Sequence, residues 1–113
     1  MATAQFIHDG DSIDYTPGAD VAAGAVVVQG DLVGVAKLAI AANTLGALAV
    51  KGVYDVPKTA GVGEAIGAGL KVYWDVADQV AKTDAEAGAN KYLGKTVLAA
   101  GDDDATVRTR LEQ

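Results

Sequence analysis

Apolar residues in this chain come in short runs: Val26-Val27-Val28, Leu32-Val33, Leu48-Ala49-Val50 and Val53-Tyr54. They crowd into residues 21–56, where glycine or asparagine interrupts every few positions. Runs of this length between turn formers read as buried strands. A helix through the same segment would carry Gly24, Gly30, Gly34, Gly46 and Gly52, each costing about 1 kcal/mol against alanine. The segment predicts the centre of an all-β fold.

The pattern continues on both sides. Residues 4–8, with Phe6 and Ile7, read as a short strand, and His8-Asp9-Gly10-Asp11 as its turn. Residues 12–16 alternate, with Ile13 and Tyr15 on one face and Ser12, Asp14 and Thr16 on the other. Gln29-Gly30-Asp31 is a turn between strands at 26–29 and 32–36. From 45 to 56 the alternation predicts a change of phase: Leu48 and Val50 share a face, Val53 falls on the other, and a bulge at Gly52 restores the register. Residues 58–63 read as loop, 71–75 as a strand, 75–78 as a turn and 79–83 as the returning strand. Residues 84–90 form a polar loop with room for one helical turn. Residues 92–100 read as a strand, 101–104 as a hairpin turn, and 106–111 as a strand with Val107, Thr109 and Leu111 inward.

A short motif recurs. Val21-Ala22-Ala23-Gly24, Ile40-Ala41-Ala42-Asn43 and Ile66-Gly67-Ala68-Gly69 each place Gly or Asn three positions after an aliphatic residue and just before a strand. Gly and Asn tolerate positive φ, so each copy reads as a tight turn that pins one side chain and launches a strand. Three unevenly spaced copies do not make a solenoid. They predict a compact barrel or sandwich of many short, mostly antiparallel strands with little helix.

Size and composition add bounds. A chain of 113 residues is expected to be one β domain over 1–113, with residues 1–15 as an N-terminal strand or arm. Half of the residues are apolar but only 5% are aromatic, so the core is thin and assembly with a partner would help it. The net charge is −6, and the nine Lys and Arg are spread singly, a poor basis for nucleic-acid binding. There is no cysteine, hence no disulfide or thiolate chemistry. The first ten residues lack the basic and apolar regions of a secretion signal, and no apolar window reaches membrane-span length. A soluble protein made in a cytoplasm is the expectation.

Candidate chemistry is sparse. His8 and Ser12, with Asp9, Asp11 and Asp14, supply the residue types of a hydrolytic triad, but triads draw on distant segments and need an oxyanion hole. The acids at 9, 11 and 102–104 offer oxygen ligands without the spacing of a calcium loop. Gly61, Gly63, Gly67 and Gly69 run into a strand rather than the helix that a phosphate loop requires. No catalytic residue, metal site or cofactor is expected. Tyr73 and Trp74 are adjacent, so one of the rings faces away from the core in a strand. Exposed aromatics concentrate binding energy, which makes Tyr73 and Trp74, together with Phe6 and Ile7 of the arm, the candidate partner contacts. A carbohydrate-binding or tail or baseplate-type module using Tyr73 and Trp74 is one reading of such a chain. A small hydrolase or lyase subunit is disfavoured, because His8 is the only imidazole.

Four segments in order resemble a family of small bacteriophage and prophage proteins described as capsid cement, or decoration, proteins. They are FIHDGDSIDYTPGADVAAGAVVVQGDLVGVA, IAANTLGALAVKGVYDVPK, AGLKVYWDVADQVAKT and YLGKTVLAAGDDDATVRTRL. The resemblance runs nearly end to end and lies in the series rather than in any one motif. It implies a β-rich structural protein on the outer surface of an icosahedral head, bridging the major capsid protein and stabilising the expanded shell. Related decoration proteins are commonly trimers, so a homotrimer is implied. No catalytic residues come with the family.

Overall fold

The computed structural model describes residues 3–113; Met1 and Ala2, the first two positions of the expected arm, lie outside the described residues. Among these described residues nine strands form: β1 Ser12–Tyr15, β2 Val26–Gln29, β3 Leu32–Val35, β4 Gly46–Ala49, β5 Lys51–Pro57, β6 Lys71–Asp75, β7 Val80–Lys82, β8 Lys91–Thr96 and β9 Thr106–Glu112. They build two antiparallel sheets, ordered β1-β4-β3-β2 and β5-β9-β8-β6-β7. The sandwich expectation is met. The barrel alternative is not, because β1, β2, β5 and β7 remain sheet edges and no ladder joins the two sheets. The sole regular helical element among the described residues is a 3-10 turn at Glu86–Gly88.

The main core lies between the sheets. Val33 and Val35 from the first meet Val56, Val72, Trp74, Leu93, Val107 and Leu111 from the second, with β3 lying against β8. The other face of the first sheet carries a smaller cluster, in which Ala36, Ile40 and Leu48 pack with Ile13, Tyr15, Val21 and Val27. Valine, alanine and leucine make up most of both clusters. The Gln113 side chain clips the layers together: its carbonyl accepts from the Val33 amide at 2.9 Å, and its NH2 donates to the Tyr92 and Leu93 carbonyls at 2.8 and 3.1 Å.

The recurring turn motif is the organising device, and the structure contains a fourth copy at Ala100-Gly101-Asp102-Asp103. The copies work in pairs. Val21 and Ile40 exchange two backbone hydrogen bonds (2.8 and 2.9 Å), and Ile66 and Ala100 do the same (2.9 and 2.8 Å). The Gly24 amide donates to the Ala36 carbonyl as Gly69 donates to Thr96, and Ala36 donates to Ala25 as Thr96 donates to Leu70. Gly24 and Gly69 both have positive φ, +85° and +76°, a backbone state that glycine reaches without a Cβ penalty. The chain is therefore a structural duplication. β1, β4, β3 and β2 repeat as β5, β9, β8 and β6, and β7 is an addition at the far edge of the second half.

Four strand expectations need correction. Residues 4–8 form no strand, because no neighbouring strand offers a ladder to them; Phe6 and Ile7 remain 78% and 74% exposed. The phase does not change in β5. Leu48, Val50 and Val56 are all buried while Val53 is 54% exposed, and the β5–β9 register runs without a slip through Gly52. The chain instead passes from one sheet to the other at Val50. β8 ends at Thr96 rather than at 100, because the chain bends to bring Ala100 onto Ile66. For the same reason residues 101–104 turn from that bridge into β9, not directly from β8.

Candidate functional site

The four predicted contact residues fall in two places. Phe6 and Ile7 lie on the irregular segment that leads into β1, uncovered by the rest of the chain. Tyr73 and Trp74 lie in β6 of the other sheet. Strand alternation turns Trp74 inward, where it is 2% exposed in the core. Trp74 thus offers no contact surface, which corrects its expected role and removes the ring on which a sugar-binding reading leaned. Tyr73 faces outward, half-buried, and packs edge-on against Tyr92 with ring centroids 5.8 Å apart.

Around that pair the second sheet carries a polar outer face. The Tyr92 hydroxyl donates to the Glu112 carboxylate. Burial, followed by that acceptor, pushes Tyr92 up to about 12, and the same hydrogen bond holds Glu112 below the usual carboxylate range. Lys95 and Arg110 flank Glu112 at 3.7 and 3.5 Å. Tyr92–Glu112 and Lys95–Glu112 are cross-strand pairs that support the register of β8 on β9, while Arg110 reaches Glu112 along β9 itself.

The acidic turns have internal partners. The His8 ring accepts from the Gly10 amide at 3.0 Å, which shapes the turn rather than aiming the ring at Ser12. At residues 102–104 the buried Lys58 ammonium donates to the carbonyls of Thr59 and Asp104 at 2.8 and 2.9 Å, with Asp102 at 3.4 Å. Asp102 accepts from the Ala65 amide and Asp104 from Gly101. These carboxylates brace loops. On the β6–β7 hairpin, Lys82 reaches Asp75 at 2.7 Å, Asp78 at 2.8 Å and Glu86 at 3.8 Å. The Lys82 hydrogen bond, then the Asp78 amide, holds Asp75 below its ordinary 3.8, while hydrogen bonds to Asp75 and Asp78 raise Lys82.

Among the described residues no group of three or more His, Asp or Glu is placed to hold a metal ion, and no helix is long and apolar enough to cross a membrane. The profile of the phage cement proteins matches residues 7–111 of the 113. The chain belongs to the phage cement protein family. Membership implies a structural role and a capsid-associated place in the virion. No curated protein and no solved structure matches the chain.

Two features of this cement protein escaped the sequence reading. Leu38 and Leu45, which sit in apolar stretches, are 79% and 71% exposed beside a cleft. The fourth turn copy was hidden because aspartates stand where the other copies have alanine, glycine or asparagine. Its signal was the run Gly94-Lys95-Thr96-Val97-Leu98-Ala99-Ala100 against Gly34-Val35-Ala36-Lys37-Leu38-Ala39-Ile40.

Proposed function

We propose that this chain acts as one β domain that binds the outer surface of an icosahedral phage head and holds the expanded shell without chemistry. Its partner is the major capsid protein, it works as a homotrimer, and it is made in the bacterial host cytoplasm before joining heads. The observation that carries the reading is the family match across residues 7–111, on a chain that leaves Phe6 and Ile7 uncovered. Subunits that bind only the expanded lattice stabilise it by mass action, repeated at every site. Phe6, Ile7 and Tyr73 are the contact residues in this reading.

The test is co-sedimentation with expanded and unexpanded shells. The reading expects binding to expanded shells and a higher temperature of shell disruption. Equal binding to both forms, or none to either, refutes it. Deleting residues 2–11 is expected to leave a folded protein that no longer binds heads; loss of folding would instead assign the segment to the core.

A further inference from the structure

We propose that the cleft between the segment after β3 and the β1–β4 edge receives the N-terminal arm of a second copy of this chain, with Phe6 and Ile7 as the inserted side chains. The inference deepens the trimer and contact assignments above, and its test needs no capsid.

The duplication provides an internal control. Each half has a cleft at the equivalent place, beside Leu38 in the first and beside Leu98 in the second. The second, of about 280 Å³, is spanned by polar groups: Asp55 faces Arg108 across the β5–β9 ladder, with bonds of 3.0 and 3.2 Å. In the first half the strand position equivalent to Asp55 is Asp14, and it faces Ala47. Among the described residues no ion pair spans that cleft, whose lining cation is Lys37. It measures about 370 Å³ and is lined largely by Leu38, Leu45, Ile40 and alanines. Two neighbouring leucines more than two thirds exposed are costly in water. One fold, used twice, thus lines one cleft with an ion pair and leaves the other, larger one mostly apolar.

The same chain supplies the complement. The arm presents Phe6 and Ile7 and then His8-Asp9-Gly10-Asp11. The cleft has the matching order of chemistry. Its apolar floor shares Lys37 and Ser12 with a hollow that also carries Lys51, Asp11 and Arg110, the last paired with Glu112. Lys37 has no ion-pair partner among the described residues, and Lys51 has only a loose one, Asp11 of its own chain at 3.5 Å. In a protein of net charge −6, cations gathered beside an apolar cleft favour an acidic apolar segment. The seven residues from Phe6 to Ser12, six Cα–Cα steps, reach roughly 20 Å when extended. An arm in a neighbour's cleft is a heterologous contact, which closes into a ring where the rotation between copies closes.

Light scattering of the purified chain across a concentration series tests the inference. The expected result is an assembly larger than a monomer. Phe6→Ala and Leu38→Asp each raise its dissociation constant roughly 30-fold or more. Both residues are solvent-facing, so thermal melting should confirm that the variants stay folded. Lys37→Glu weakens assembly, and adding Asp9→Lys restores it. A labelled peptide of residues 3–11 binds the chain lacking 2–11 and fails to bind its Leu38→Asp form. A wild-type chain that stays monomeric overturns the inference, as does an assembly indifferent to Leu38→Asp. If Leu38→Asp abolishes shell binding by a monomeric wild type, the cleft serves the capsid; the inference then falls while the cement reading stands.

Discussion

The duplicated fold places two glycines, Gly34 and Gly94, at equivalent positions in β3 and β8, and the structure predicts that they tolerate alanine very differently. A Cβ at Gly94 would lie 1.9 Å from the Arg110 carbonyl oxygen and 3.2 Å from the Leu111 Cα. Both are backbone atoms of β9, and β8 is held on its other side by β6. The β8–β9 ladder must open by about 1 Å to admit the methyl, and overpacking of this kind costs about 3 kcal/mol. A Cβ at Gly34 would meet the Leu48 Cβ at 2.9 Å and the Ala49 carbonyl at 3.2 Å, which a shift of a few tenths of an ångström relieves for about 1 kcal/mol. Alanine also narrows the unfolded ensemble, a gain of about 0.4–1 kcal/mol at either site. The expected net loss is thus about 2–3 kcal/mol for Gly94→Ala and close to zero for Gly34→Ala. In Tm this is a drop of about 10 °C against little change, at about 4 °C per kcal/mol. Thermal melts and urea titrations with unchanged m values measure both. A Gly94→Ala protein as stable as the wild type, or a Gly34→Ala protein the less stable of the two, would refute the close-approach argument.

Three further expectations follow from the buried polar groups. The Thr109 hydroxyl is fully buried without a hydrogen-bond partner, so Thr109→Val should stabilise the chain by about 1 kcal/mol, read as a raised urea midpoint. Lys58→Met removes the donor shared by the carbonyls of Thr59 and Asp104; it should cost about 1–3 kcal/mol and speed amide exchange across residues 101–105. Asp75 titrates lower in the folded chain than its ordinary 3.8, so its contribution is present above that value and is lost as the pH falls through the folded value. Asp75→Asn should therefore lower stability at neutral pH and flatten the acid limb below 3.8; parallel acid limbs in wild type and variant would refute the link.

What the sequence revealed was the part governed by neighbours along a strand. Ile13 and Tyr15 in β1, and Val107, Thr109 and Leu111 in β9, alternate as their side chains do, because a half-buried strand writes its two faces into every second residue. The pattern gave no sheet assignment, so it placed Val53 on the right face but required a bulge at Gly52, where the chain instead changes sheets at Val50 and keeps its phase. Residues 4–8 have strand composition, but a strand needs a partner, and the partner is not encoded locally. Alternation required that Tyr73 and Trp74 part company; which of them goes inward depends on where β8 lies. The open cleft was illegible for the same reason. Leu38 and Leu45 are exposed because no ring or strand of their own half comes over them, a fact about tertiary placement that an apolar letter does not carry.

The passage of the chain through Val50 has a mechanical consequence. β4 and β5 are consecutive pieces of one backbone, each belonging to a different sheet, so tension entering one layer reaches the other through covalent bonds. Beyond that crossing, β5 is fastened to β9 along seven residue pairs, from Lys51 with Glu112 to Pro57 with Thr106. A pull along the strand axis loads all of these pairs together in shear instead of unzipping them one by one. A protein whose family cements capsids gains most from that direction of grip.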